Sequence, residues 1–212
     1  MTLSPPSGGL EGFPTATKGG PLWRLFLARD PSTGSVRPPF WFSSANNDDP
    51  VAGGRFGLQE PHGTCYFAES PQGAWLEVFR TTMVALRDLR RRRLYVAKPP
   101  QPLMLADLTS RLARGFGITG DIHTCSDLTA SQQWAAALHV EGFGGVVGKI
   151  RHDPALEQAS VALFGEAGAH SPGGWKWDVR TTKPADDLDL IASMAAWGIR
   201  VADIPYDVPT VH

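Results

Sequence analysis

The sequence predicts an α+β fold: a single domain with a mixed central sheet and flanking helices. Three observations carry this. The 212 residues are 42% apolar, enough to bury the core of one ordinary domain or of a tight pair of very small ones. Short apolar runs of strand length are interspersed with segments of helical period, without a regular strand–helix–strand repeat. The 23 glycines and 18 prolines demand many turns, lack the period of collagen, and argue against a simple helix bundle.

Taken in order, residues 1–20 are rich in Pro, Ser, Gly and Thr and read as a mobile N-terminal arm. Pro21–Leu27 is a first strand candidate. The long stretch Ala28–Gly54 holds two turn clusters, Asp30–Gly34 and Asn46–Pro50, yet contains Trp41 and Phe42. A packed, functional loop is expected there. Thr64–Ala68 reads as a second strand. Ser70 is a suitable N-cap with Pro71 at the first helical position, opening a helix expected over Ala74–Leu89, with Trp75, Val78, Phe79 and Leu86 near one face. Arg90–Val96 reads as a helix end running into a strand. Leu103–Ala106 is a short strand, and Thr109–Leu112 a helical turn. Asp127–Gly142 is the clearest helix, with Trp134, Ala137, Leu138 and Val140 in period and Gly142 as its stop. Gly145–Ile150 and Ser160–Phe164 read as buried strands. The tail carries Pro172–Trp177, a helix near Leu188–Trp197 and an apolar stretch Ile199–Val201.

Charge and motifs exclude several functions. The formal net charge is -1 with 19% charged residues, which excludes an electrostatically driven nucleic-acid binder, an acidic disordered tail and a coiled coil. The arginines between Arg87 and Arg93 read as a solvated helix end, so no direct nucleic-acid partner is expected. Cys65 and Cys125 are too few for a disulfide scaffold, and a reducing, cytoplasmic setting is expected. No apolar run is long enough to span a membrane, and residues 1–20 do not resemble a secretory signal. Walker, Cys-x-x-Cys, His-Glu-x-x-His and Gly-x-Ser-x-Gly patterns are absent. His123 with Cys125 is a weak metal-ligand pair, so no metal is expected.

One constellation carries chemistry. Arg55 follows Gly53 and Gly54, where the chain can turn tightly. Tyr66 lies eleven residues on, and Glu77 eleven further. A strand followed by a helix packed back on it would bring the three together. Arginine binds phosphate bidentately, tyrosine stacks and donates, and glutamate holds ribose hydroxyls or stabilises a cationic sugar. The alternative is an Arg–Glu surface pair and a core tyrosine.

The order of segments resembles the RES domain, the toxin half of Xre–RES toxin–antitoxin pairs. The matching stretches are Leu22–Leu25, Gly53–Phe56, Thr64–Ser70, Ala74–Phe79, Thr129–Ala135, Gly142–Val146, Arg151–Pro154 and Val161–Phe164. The resemblance covers about residues 21–165, within a domain spanning 21–212, and the remainder reads as a C-terminal extension. It implies a fold like that of ADP-ribosyltransferase toxins and an enzyme that consumes NAD⁺, as NAD⁺ phosphorylase or glycohydrolase. Arg55 and Glu77 match the arginine and glutamate that the family name records, and Arg24 and Tyr66 match further pocket positions. For the serine, Thr129 and Ser131 are candidates, with Ser126 if the loop register differs. The chain departs from the family at Ile150, where members often carry a serine.

The resemblance further implies inorganic phosphate or water as acceptor, an Xre-family antitoxin as partner, and no cofactor besides the consumed NAD⁺. In that chemistry Glu77 would stabilise an oxocarbenium-like ribose, Arg24 and Arg55 would clamp phosphates, and Thr129 or Ser131 would orient the acceptor. Transfer of ADP-ribose to a macromolecule, or binding without turnover if Ile150 marks a degenerate site, remain open alternatives, as does a homo-oligomer.

Overall fold

A computed structural model describes residues 4–6, 9–46, 53–170 and 176–204. Its strands are β1 Thr15–Lys18, β2 Leu22–Leu27, β3 Phe40–Phe42, β4 His62–Ala68, β5 Met83–Ala85, β6 Arg92–Lys98, β7 Leu103–Asp107, β8 Gly145–Lys149, β9 Ala159–Glu166, β10 Gly168–His170, β11 Asp178–Thr182 and β12 Arg200–Ala202. The helices are α1 Pro71–Val78, α2 Leu86–Arg90, α3 Asp121–Thr124, α4 Thr129–Val140 and α5 Leu188–Ala196, with 3₁₀ turns at Arg111–Phe116 and Pro184–Asp186. Strands and helices mix without a βαβ repeat, so the α+β expectation holds.

Eight strands form one mixed sheet in the order β1-β7-β8-β9-β4-β2-β6-β11. β7 and β8 run parallel and the other neighbours antiparallel. The sheet is nearly divided in the middle. β4 pairs with β9 from His62 to Ala68, and β2 with β6 from Leu22 to Leu27, but β2 and β4 share only the Trp23–Ala68 position. Beyond that position the two central strands no longer pair, and the cleft described below opens between them.

Alternation along β4 and β9 assigns the two faces. Cys65, Phe67, Val161 and Leu163 join Phe40 and Phe42 of β3 and Trp177 in one core. On the other face Ala162 and Val146 pack with Trp134 and Leu138 of α4, while Ala68 packs under Ala74 and Trp75 of α1. Ser70 caps α1 as expected, its Oγ accepting from Gly73 N at 2.9 Å with Pro71 in the first turn.

Two expectations are corrected. Residues 9–20, expected as part of a mobile arm, are built into the fold. Leu10 and Phe13 are buried, Phe13 against Phe116, Trp134 and Phe143, and β1 extends the edge beside β7. Two apolar side chains among many prolines and glycines suffice as anchors, because the β7 edge supplies the backbone partners. The helix expected over Ala74–Leu89 ends at Val78, where Phe79 N bonds to the Trp75 carbonyl. Thr81, Thr82 and Val84 are β-branched, and the Thr81 hydroxyl accepts from Met83 N, so this stretch turns into β5 and pairs with β12. The Ala28–Gly54 stretch is packed through β3, whose Phe40 and Phe42 are buried. Residues 47–52 and 171–175, within the turn cluster and tail singled out above, lie outside the described residues.

Candidate active site

The cleft at the divided sheet has a volume of about 490 Å³. Across β8, β9, β4 and β2, positions Gly148, Ser160, Ala68 and Trp23 stand side by side on one face. Three small residues in that row keep the floor low. Ala74, Glu77 and Val78, spaced i, i+3, i+4 along α1, form one wall. Arg24 and Phe26 of β2, the Gly54–Phe56 turn, Ser126 of the α3–α4 loop and Arg151 and His152 of the β8–β9 loop complete it.

The Gly53–Phe56 turn is held from three sides. Gly54 has φ +73° and lies so close to Tyr66 that a Cβ would stand 2.9 Å from the tyrosine hydroxyl, so glycine is required twice over. The Tyr66 hydroxyl donates to the Gly53 carbonyl at 2.9 Å and accepts from Phe56 N at 2.8 Å. Gln132 of α4 donates to the Gly54 carbonyl at 3.0 Å. Arg55 is thereby aimed into the cleft and anchored by Nη1 to the Ile122 carbonyl at 3.3 Å and Nη2 to the Cys125 carbonyl at 2.8 Å, at the end of α3. Burial and the nearby Arg151 lower its pKa, while Cys125, Glu77 and Tyr66 act in the opposite direction. Burial raises that of the Tyr66 phenol.

Glu77 is the one carboxylate among the lining residues, facing Arg24, Arg55, Arg80, Lys149 and Arg151. Burial raises its pKa, opposed by Arg80, Arg55 and Arg151. Arg24 directs Nη1 at the Trp41 carbonyl, 3.2 Å away, and at Cys65 Sγ, and its guanidinium lies 6.0 Å from the ring centroids of both Phe26 and Phe67. Asp153, 2% exposed, shapes the β8–β9 loop by accepting from the backbone N–H groups of Ala155, Glu157 and Gln158. Burial and then Arg80, Arg151 and Arg55 push His152 down to about 4, so it is neutral at pH 7. In a chain of net charge -1 this concentration of cations gives the cleft a positive lining, chemically suited to an anion.

A family model described as the RES domain matches residues 21–182. The chain belongs to the RES domain family. Every residue lining the cleft lies within the matched segment, which runs past Gly165 to include β11. A search of curated proteins finds no match. Among solved structures, a chain from the crystal structure of the M. tuberculosis MbcT–MbcA toxin–antitoxin complex is similar in fold. The TM-score is 0.58 at 19% identity, covering 84% of this chain and 92% of that one.

The structure brings together Arg24, Arg55, Tyr66, Glu77 and Ser126 of the residues expected at the site of this RES domain. It does not bring in Thr129 or Ser131. Thr129 is exposed in the first turn of α4, its N–H taken by Asp127 Oδ1 at 2.9 Å. Ser131 is 2% exposed, with its hydroxyl donating to the Leu128 carbonyl at 2.9 Å. Both belong to the start of the helix, where short hydroxyl side chains satisfy local backbone groups. Ile150 is fully buried in the core beneath α1, against Ala68, Ala74 and Trp75. Sequence reasoning missed Arg80, Lys149, Arg151, His152 and Ser160 as site residues. Arg80 follows α1 and Ser160 opens an otherwise apolar strand. Neither has a local pattern that marks it, and only the sheet register places Ser160 in the floor.

Proposed function

We propose that this RES domain degrades NAD⁺ as the toxin of a toxin–antitoxin pair, breaking the bond between nicotinamide and ribose with phosphate or water as acceptor. The observation that carries this reading is the single half-buried carboxylate, Glu77, opposed to four arginines in a cleft of nucleotide size. The arginines suit a pyrophosphate bidentately, and the carboxylate suits a sugar that becomes cationic.

The reaction balances with these groups. The C1′–N bond of the nicotinamide riboside breaks, and nicotinamide departs with the bonding electron pair as a neutral ring. The ribose becomes oxocarbenium-like, and the Glu77 carboxylate stabilises that charge. An oxygen of phosphate or water then bonds to C1′, giving ADP-ribose 1″-phosphate, or ADP-ribose with a released proton. NAD⁺ is the substrate, and the balance closes without a further cofactor. Arg24 and Arg55 hold the pyrophosphate. Arg80 and Arg151, at the same cleft, suit the acceptor when it is phosphate. Tyr66 contributes chiefly by fixing the turn that carries Arg55, since its hydroxyl is already engaged. An antitoxin partner of Xre type is consistent with the similar chain having been solved in a toxin–antitoxin complex.

The test is to incubate the purified protein with NAD⁺, with and without inorganic phosphate, and to resolve the products by chromatography and mass spectrometry. Phosphate-dependent nicotinamide release with phosphorylated ADP-ribose is the expected result, and Glu77→Gln should lose at least about 10²-fold of it, the usual scale for a group stabilising transition-state charge. Label retained on protein or nucleic acid would replace phosphorolysis by transfer. Absence of any release would overturn the reading.

A further inference from the structure

Ser160 sits in the floor of the cleft, and its hydroxyl opens into it. The residue is 4% exposed, yet among the described residues its side chain has no hydrogen-bond partner. It lies in the cleft floor, between Gly148 on β8 and Ala68 on β4, and lines the same cleft as Glu77. A Cβ built on Gly148 would stand 3.4 Å from Ser160 Oγ and 3.1 Å from the Phe56 ring, so the absence of a side chain at 148 leaves the hydroxyl uncovered. The other floor hydroxyl, on Tyr66, is occupied by Gly53 and Phe56. Ser160 is therefore the free neutral donor and acceptor at the base of the cleft.

We propose that Ser160 is a substrate-positioning residue whose hydroxyl hydrogen-bonds a hydroxyl of the nicotinamide-side ribose. A neutral hydroxyl complements a sugar hydroxyl as both donor and acceptor, whereas the surrounding arginines only donate. Its place on a central strand, flanked by small residues, gives the rigidity that ribose orientation against Glu77 requires. The assignment rests on the NAD⁺ reading above.

The test compares wild type with Ser160→Ala on NAD⁺ and on analogues lacking the 2′- or the 3′-hydroxyl of the nicotinamide ribose. On NAD⁺ the variant is expected to lower kcat/KM roughly tenfold, the worth of one such bond. On one of the two analogues the ratio of wild type to variant should fall to about one, because the hydroxyl that Ser160 held is gone. Ser160→Cys, which keeps the volume and loses the strong bond, should follow Ser160→Ala, and thermal melts should be unchanged. Wild-type kinetics for Ser160→Ala, or the same loss on NAD⁺ and both analogues, would overturn the assignment while leaving the NAD⁺ reading intact. A wild-type protein that neither binds nor cleaves NAD⁺ would overturn both.

Discussion

Glu77 illustrates at the residue scale how a site is made at the expense of the fold. Its carboxyl is held above its ordinary pKa by burial, which means the ionised form is less comfortable folded than unfolded. The sign follows. The unfolded carboxyl loses its proton first as pH rises, so stability falls through the interval between the ordinary and the raised value. The cost then persists at neutral pH. Glu77→Gln is therefore expected to raise Tm at pH 7 while abolishing NAD⁺ cleavage, with a smaller gain at pH 4. Each kcal/mol recovered is worth about 2–4 °C for a chain of this size, and scanning calorimetry at the two pH values checks it. An unchanged or lowered Tm at pH 7 would show that the neighbouring arginines outweigh burial. Arg55 and Glu77 were legible in the sequence because a double glycine and a capped helix mark them. Ser160 was not, since nothing local distinguishes a serine at a strand end.

At the scale of elements, β1 is the lesson. A segment of proline, glycine and threonine reads as an arm by composition, but Phe13 is 4% exposed against three aromatic rings and Thr15–Lys18 pairs with Leu103–Ala106. Phe13→Ala is expected to cost about 3–5 kcal/mol, the range for deleting a buried ring, read as a shift in the urea midpoint without a change in m. A loss below about 1 kcal/mol would restore the arm. α1 shows the opposite case. Its start was legible from Ser70 and Pro71, but its end was not, because helical spacing continues through Val78 and Leu86. The strand β5 wins because β12 is available to pair with it, and β12 lies more than a hundred residues away in the chain.

For the whole molecule, the division of the sheet between β2 and β4 creates the cleft, and a buried histidine, His123, links its integrity to pH. Burial pushes His123 down to about 4, with the backbone of Leu108 opposing and Arg55 and Lys149 adding to the effect. Its Nδ1 accepts from Lys149 N at 3.3 Å, which ties α3, and so the Arg55 anchor, to β8. His152 is pushed down in the same sense. A depressed histidine contributes stability above its ordinary pKa, and that contribution is lost as pH falls from about 6.5 through 4. His123 alone should account for about 2–3 kcal/mol over that interval. Urea titrations at pH 7 and pH 4.5 should show the loss, and His123→Gln, still able to accept from Lys149 N, should flatten it. An equal pH dependence in the variant would assign the acid loss elsewhere.

By itself the sequence determined the α+β class, the cap and start of α1, the helix α4, the strands β2, β4, β8 and β9, and the family, because each of these rests on local period, turn chemistry or an ordered set of short segments. It also marked Arg24, Arg55, Tyr66 and Glu77. Only the tertiary structure decided that β2 and β4 share a single paired position and that Tyr66 is committed to the Arg55 turn. The same holds for the removal of Thr129 and Ser131 from the site and the entry of Arg80, Lys149, Arg151, His152 and Ser160. The physical reason is common to all of these. Sheet register and the packing of α1, α3 and α4 join residues far apart in the chain, and no local pattern records which of two neighbouring hydroxyls will face a cleft and which will bond to the backbone beside it.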